Sequence, residues 1–347
     1  MHNIAIALSG GADSLMSLLL LRETGARVMG VHARFTDTDD AQQRDRLRGL
    51  CEDLGVAFHL IDLRAEFENL VIMPFVRAYQ AGQTPNPCAT CNPAIKFGLL
   101  LDRAMELGAD RLATGHYARL RDTPHGPGLF RGNDAAKDQS YFLCRVPRER
   151  FRHVLFPLAE WTKGAVRLAL AERGLTPPAG RESQEVCFIP ADYREFLRER
   201  KIRLGGPGPI TLADGTVLGR HEGLWNHTLG QRKGLGIAYS QPLYVTGKDF
   251  DANRLVVGPK SETLAAGCRT DSPNLLCPPE FWPGEVLAQT IYRQPPEPAR
   301  VSVDDSGMTI VFVRPRAIPT PGQVAAVYSA EGRILAGAVI TEAIHAA

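Results

Sequence analysis

Through its first two hundred residues the chain alternates between two hydrophobic periods. NIAIAL (Asn3 to Leu8) is a short apolar run ending near a glycine pair, LMSLLLLRETGA continues as a buried helix, and RVMGVHARF returns to a strand. Together they make one βαβ unit. DDAQQRDRLRGLCEDLGV then reads as a polar-faced helix ending at Gly55, followed by the strand AFHLIDL and a helical stretch from Glu66 to Gln80. A proline-rich turn, TPNPCATCNPAIKFG (Thr84 to Gly98), opens into the helix AIKFGLLLDRAMELGA, and the strand DRLATGHYARL follows. This alternation predicts an α/β fold, a doubly wound parallel sheet with helices on both faces. Such sheets bind ligands at the carboxyl ends of their strands. The same edge should therefore receive Ser9 to Ser14, the loop after Val31, and Gly115 with His116.

After residue 200 the texture changes. A stretch rich in Gly and Pro, with Asp-Gly and Asp-Ala-Asn turns and short alternating strands, predicts a small central β-rich domain over 201–270. EVLAQTIYRQ, ARVSVDD, MTIVFVR, QVAAVYS and ILAGAVI then predict a compact C-terminal β-barrel over 271–347. The α/β domain takes 1–200.

Composition narrows the class. At 347 residues and 44% hydrophobic, the chain can bury several cores. No apolar run reaches the ~18 residues of a membrane span, and no basic segment with an apolar leader opens the chain, so no membrane and a cytoplasmic location are expected. Seven cysteines are too few for a disulfide framework and point to metal or catalytic roles for some of them. A net charge of +2 decides nothing about nucleic acid, but basic residues cluster in RVPRERFR (Arg145 to Arg152), RERKIR (Arg198 to Arg203) and GQRKG (Gly230 to Gly234). For the first two clusters, solvated helix faces explain the pattern equally well.

ALSGGADS is the strongest local signal. Ala7, Leu8, Ser9, Gly10, Gly11, Ala12, Asp13 and Ser14 follow a strand and precede a helix, where backbone N–H groups and a helix N-terminus form an anion cradle. The stretch is neither a Walker A sequence nor a dinucleotide fingerprint. It resembles the PP-loop of the N-type ATP pyrophosphatases, which implies ATP, a leaving pyrophosphate, and an adenylated intermediate. Asp13 would help to position Mg²⁺.

Adenylation calls for a nucleophile, and thiols are candidates. Cys51 and Cys144 lie in apolar surroundings that suggest buried structural residues, and Cys268 and Cys277 fall in the β half. Cys88, Cys91 and Cys187 remain. ESQEVCFIP fits both a buried strand with an inert thiol at Cys187 and a reactive site.

Along nearly its whole length the chain resembles the tRNA-specific 2-thiouridylase family (MnmA/TrmU). The resemblance rests on SGGADS, TPNPCATCNPAIKFG, ATGHYAR, KDQSYFL, LFPL, ESQEVCFI, HTLGQRKGLGI and TPGQ, in the family's order and spacing. It implies 2-thiolation of the wobble uridine in tRNAs for Lys, Glu and Gln. ATP would bind at Ala7 to Ser14, with Ala33 in the loop after the second strand and Gly115 completing the pocket. Cys91 would be the nucleophilic cysteine and Cys187 the persulfide cysteine. The tRNA anticodon stem-loop would meet Asn86, Pro87, Cys88, His116, Lys137, Asp138, Gln139, Tyr292 and Gln323. The sulfur donor stays open between a cysteine desulfurase, a sulfur relay and inorganic sulfide, and the oligomeric state is open too.

Three departures from the family pattern stand out. Cys88 replaces a common Asp and so removes a candidate acid/base. Ile291 stands where Arg is common before Tyr292. The loop between Phe35 and Arg44 is short and lacks an aromatic residue. Cys88 also creates Cys-x-x-Cys, so with Cys187 three thiolates are expected to suit a [4Fe-4S] cluster with one open iron. A zinc site using His116 and a Cys88–Cys91 redox pair are the alternatives. An amidating ligase and a non-catalytic tRNA-binding sulfur carrier are the competing functions, separated by tRNA-dependent pyrophosphate release.

Overall fold

The structure, a computed structural model, describes residues 2–37, 41–178, 186–189, 192–200 and 202–346. Seven strands belong to the first domain: β1 Asn3–Ala7, β2 Arg27–Arg34, β3 Ala57–Asp62, β4 Arg111–Ala113, β5 Ala118–Thr123, β6 Gly126–Arg131 and β7 Val154–Leu155. Five of them form one parallel sheet in the order β3-β2-β1-β4-β7. The most apolar run takes the centre: Ala5 and Ile6 of β1 are fully buried. Helix α1 (Ala12–Glu23) is covered on most sides, with Leu15, Met16, Ser17 and Leu18 all buried, whereas α2 (Ala41–Asp53) buries only Leu47 and Cys51. Both match their hydrophobic patterns.

Two sequence expectations change here. DRLATGHYARL is not one strand: it breaks after Ala113, and Ala118 starts the separate β5–β6 hairpin. Ala33 lies within β2, paired with Ile61, rather than in the loop after it.

The cysteine segment is helical from Pro87, so the thiols sit in the first turn and not in the preceding loop. Pro87–Cys91 is α-helical, Asn92–Leu100 winds as a π-helix, and Leu101–Glu106 returns to α. Gly98 kinks it at φ −96, ψ −106. A Cβ at Gly98 would fall 2.6 Å from the Pro93 carbonyl oxygen, so the kink excludes any side chain. Arg150 covers the interrupted backbone, donating from Nε to Phe97 O and from a terminal nitrogen to Gly98 O and Asp102. One arginine of RVPRERFR is therefore structural.

The central domain is a four-stranded sheet in the order β10-β11-β8-β9, from β8 (Gly208–Thr211), β9 (Val217–His221), β10 (Tyr244–Asp249) and β11 (Arg254–Gly258). Ile210, Leu243, Val245, Leu255 and Val257 form its core. The last sheet joins β12 (Leu264–Thr270), β13 (Asn274–Leu275), β14 (Val286–Gln289), β15 (Glu297–Asp304), β16 (Gly307–Ala317), β17 (Val324–Tyr328) and β18 (Ile334–His345). Pairing of β12 with both β16 and β18 closes six of these strands into a barrel, and β13 lies beside β18. The barrel sheet includes Leu264–Thr270, ahead of Asp271, because LAAGCRT finds its partners there. Among the described residues no helix is long and apolar enough to cross a membrane.

Candidate nucleotide and thiol site

The turn between β1 and α1 has the form of an anion cradle. Gly10 takes φ +80, a conformation open to glycine at little cost, and Gly11 precedes the helix. Ser14 Oγ donates to Gly11 O at 2.9 Å and accepts from Ser9 N at 3.2 Å, while Gln43 Nε2 donates to Ser9 O at 2.8 Å. The loop is thus held by its own side chains, with the N-terminus of a twelve-residue helix facing the strand edge. Gly115 lies against it: a Cβ there would come within 2.9 Å of Asp13.

Asp13 is engaged on both oxygens. Lys163 Nζ donates to Oδ1 and Oδ2 at 2.8 Å each, and Tyr117 OH donates to Oδ1 at 2.7 Å. Lys163 is only 8% exposed, an unusual place for an ammonium unless it is paired. It opens the helix Lys163–Glu172, capped by Thr162 accepting from Ala165 N, and its own N–H donates to Asp134. The sequence reading missed both partners. Tyr117 lies inside ATGHYAR, but Lys163 is 150 positions from Asp13 and belongs to no local motif.

The candidate thiols come from two segments, the helix that begins at Pro87 and the turn at Cys187. Cys88 is half-buried, Cys91 buried and Cys187 exposed, and all seven cysteines are free, so no disulfide links them among the described residues. Burial pushes the Cys91 thiol up to about 12; Lys96 pulls it down, and Cys187 and Cys88 push it further up. Burial also raises Cys88, and desolvation of the sulfur raises Cys187 although the residue as a whole is exposed, again against Lys96, with Cys88 acting on Cys187. The three sulfurs and one ammonium are therefore within electrostatic reach of one another. Phe188 anchors Cys187, meeting Phe67, Phe75 and Phe196 at ring distances of 5.7, 5.3 and 5.4 Å. Cys187 is in a turn, which decides against the buried strand; Glu182 to Glu185 of ESQEVCFI lie outside the described residues.

His116 joins the two halves. It is 8% exposed, Nδ1 lies 2.8 Å from Thr114 Oγ1, and Lys96 Nζ lies 3.5 Å from Nε2. Burial first, and Lys96 second, hold its pKa well below the usual imidazole value, so the ring is neutral. Neither Lys96 nor its contact with His116 was read from the sequence, although NPAIKFG contains it. In π winding, hydrogen bonds run from i to i+5, which brings Lys96 nearer the Cys91 face than an α-helix would.

The donor set was expected to suit a metal cluster. Among the described residues, however, no group of three or more His, Cys, Asp or Glu side chains is arranged to hold a metal ion. Cys88, Cys91 and Cys187 as placed do not form a finished ligand set.

The residues expected at tRNA divide. Asn86 caps the thiol helix, accepting from Ala89 N, and Pro87 is buried at its first turn. Asp138 is 8% exposed and accepts from Arg131, Gly132 N, and the N–H and hydroxyl of Ser140. Gln139 accepts from Tyr117 N, and so supports the tyrosine that reaches Asp13. Lys137 is exposed. Tyr292 packs at a tilt against Phe142 at 4.4 Å and stacks with Tyr141 at 6.1 Å, between barrel and α/β domain. Gln323 Nε2 donates to Thr84 O at 2.8 Å and Pro85 O at 3.3 Å.

Comparison with known proteins agrees with this architecture. Residues 2–191 match the family described as tRNA methyl transferase HUP domain, 194–259 the tRNA methyl transferase PRC-barrel domain, and 265–340 the Aminomethyltransferase beta-barrel domain. The tRNA-specific 2-thiouridylase MnmA of Nitratidesulfovibrio vulgaris (strain DSM 19637 / Miyazaki F) is 52% identical over 345 residues, covering 97% of this chain and 98% of its own. Its counterpart in Oleidesulfovibrio alaskensis is 49% identical, with 98% and 99% covered. That of Thermus thermophilus is 42% identical, with 99% and 96% covered. Full-length similarity of this degree, across all three domains, means that the chain belongs to the tRNA-specific 2-thiouridylase MnmA family.

Proposed function

We propose that this chain is a tRNA-uridine 2-sulfurtransferase that uses ATP to replace O2 of the wobble uridine, position 34, in tRNAs of the Lys, Glu and Gln type. One observation carries the reading: Gly115 touches the phosphate cradle, His116 reaches Lys96 among the thiols, and Tyr117 reaches Asp13. A single short stretch thus ties an ATP-activating loop to a sulfur centre. A base flipped from the single-stranded anticodon loop is the substrate type that fits between them.

O2 of the uracil attacks the α-phosphorus and pyrophosphate leaves with the electron pair of the broken P–O bond. The backbone N–H groups of Ser9 to Ser14 and the α1 N-terminus hold the departing charge. Asp13 would be the residue to hold Mg²⁺, which would supply charge neutralisation at the pyrophosphate. Asp13 would exchange Lys163 for that role, leaving the ammonium beside the anion. The terminal sulfur of a deprotonated Cys187 persulfide then attacks C2, and AMP leaves with O2. The Cys91 thiol, protonated at rest, attacks Cys187 Sγ as its proton passes to the released thiouracil; the S–S bond breaks toward the nucleic acid, and C2 keeps the sulfur. The resulting Cys91–Cys187 disulfide requires a thiol reductant. A cysteine desulfurase or a relay protein would recharge the reduced Cys187 with sulfane sulfur; hydrosulfide would instead replace the reductant, opening the Cys91–Cys187 disulfide at Cys187 to leave the Cys187 persulfide and the Cys91 thiol, in the cytoplasm where tRNA is processed.

A second reading keeps Cys88, Cys91 and Cys187 as ligands of a [4Fe-4S] cluster. Mutual reach of three soft ligands favours it, and their present arrangement does not, so no step is routed through it. Anaerobic purification separates the readings. Colourless protein that thiolates tRNA from a persulfide without iron supports the first; a brown protein that loses its colour in each Cys→Ala variant supports the second. Pyrophosphate release without tRNA, or none with it, would defeat the function itself.

A further inference from the structure

The loop that leads into the thiol helix is gripped from both outer domains. From the barrel, Pro321 O accepts from Thr84 N at 2.9 Å, Gln323 Nε2 donates to Thr84 O and Pro85 O, and Gly322 lies against Gln83 and Thr84. From the central domain, Lys248 Nζ donates to Gly82 O at 2.8 Å, Phe250 packs on Gly82, and Thr228 Oγ1 lies 3.4 Å from Thr84 Oγ1. All these contacts fall within Gly82 to Pro85. The next residues are Asn86, Pro87 and Cys88, and the prolines at 85 and 87 each lock φ. Displacement at Thr84 therefore passes to the thiols through a segment with few soft torsions. Nothing comparable ties the outer domains to the phosphate cradle among the described residues.

We infer that Lys248 and Gln323 are positioning residues for the sulfur step, fixing where Cys88 and Cys91 begin relative to the activated base. Gln323 acts here on protein backbone, not on nucleic acid. The inference rests on the thiolation reading for its consequence, although the grip on the loop can be measured without it.

The test compares Lys248→Met, Gln323→Ala and Gln323→Glu with the parent. Met keeps the apolar stem and loses the donor, whereas Glu turns a donor into an acceptor facing two carbonyls. In tRNA-free protein, iodoacetamide labelling followed by peptide mass spectrometry should show Cys91 reacting about tenfold faster in Lys248→Met, with Cys187 unchanged. Gln323→Glu should exceed Gln323→Ala in that effect. In turnover, Lys248→Met should leave tRNA-dependent pyrophosphate release within about twofold and lower sulfur insertion by about tenfold. Unchanged Cys91 labelling in all three variants would overturn the inference. So would a uniform loss of both steps, which marks general destabilisation, or weaker tRNA binding by Gln323→Ala with normal Cys91 labelling, which marks a direct nucleic-acid contact. Failure of the parent to insert sulfur would defeat the functional reading alone, since the labelling result stands independently.

Discussion

Asp13 carries two partners on one carboxylate, the Lys163 ammonium on both oxygens and the Tyr117 hydroxyl on one. ALSGGADS was legible because a strand, two glycines and a helix start are consecutive, and local geometry follows from local sequence. Lys163 was not, because its partner is brought to it only by the folded sheet. Asp13→Asn should leave tRNA binding intact and reduce tRNA-dependent pyrophosphate release by orders of magnitude, as expected when a charge needed in the transition state is removed; equal release in variant and parent would refute the role. Lys163→Met gives a sign test. If the ammonium serves the phosphates, Mg·ATP binding weakens; if it only blocks Asp13, binding tightens. Calorimetric titration with a non-hydrolysable ATP analogue distinguishes the two. The cysteines offer a third check. With its thiol pushed up to about 12 by burial, Cys91 is protonated at neutral pH, so Cys187 should alkylate first despite its own raised value.

At the scale of the element, the thiol helix was only half readable. Cys-x-x-Cys and Pro-Asn-Pro placed the chemistry, but proline suggested a turn where Asn86 in fact caps a helix that begins at Pro87. The π segment left no composition signal. Its kink at Gly98 is covered by Arg150, an arginine whose neighbours made it look like part of an RNA footprint. Arg150→Met strips donors from two backbone carbonyls and Asp102, for a loss of roughly 1–3 kcal/mol in urea unfolding. Affinity for tRNA should hardly change. A variant that folds as well as the parent but binds tRNA with a shallower salt dependence would return Arg150 to the footprint.

The whole molecule is three domains converging on one loop, and the convergence has a titratable edge. His227, from HTLGQRKGLGI, is 6% exposed, its Nδ1 is buried without a partner among the described residues, and it precedes Thr228 at the contact with Thr84. Burial, followed by the positive fields of His221, Lys248 and Arg194, lowers its pKa to about 4. The texture of the sequence separated the domains, yet gave no hint that this motif faces the thiol loop, since such contacts span long stretches of chain. With a folded value near 4 and an ordinary unfolded value of 6.5, the unfolded chain binds more protons between those limits. Stability is therefore fully present above pH 6.5 and falls as the pH drops toward 4, by at most about 3 kcal/mol from this residue and by less to the extent that solvent screens the ring. His227→Gln, which cannot titrate, should flatten the dependence of the urea midpoint between about pH 7 and 5. Because the histidine sits at the junction, Cys91 of the parent should also alkylate faster relative to Cys187 at about pH 5 than at about pH 7, and the variant should not show that change. Parallel pH profiles for parent and variant would place the acid sensitivity elsewhere in the fold.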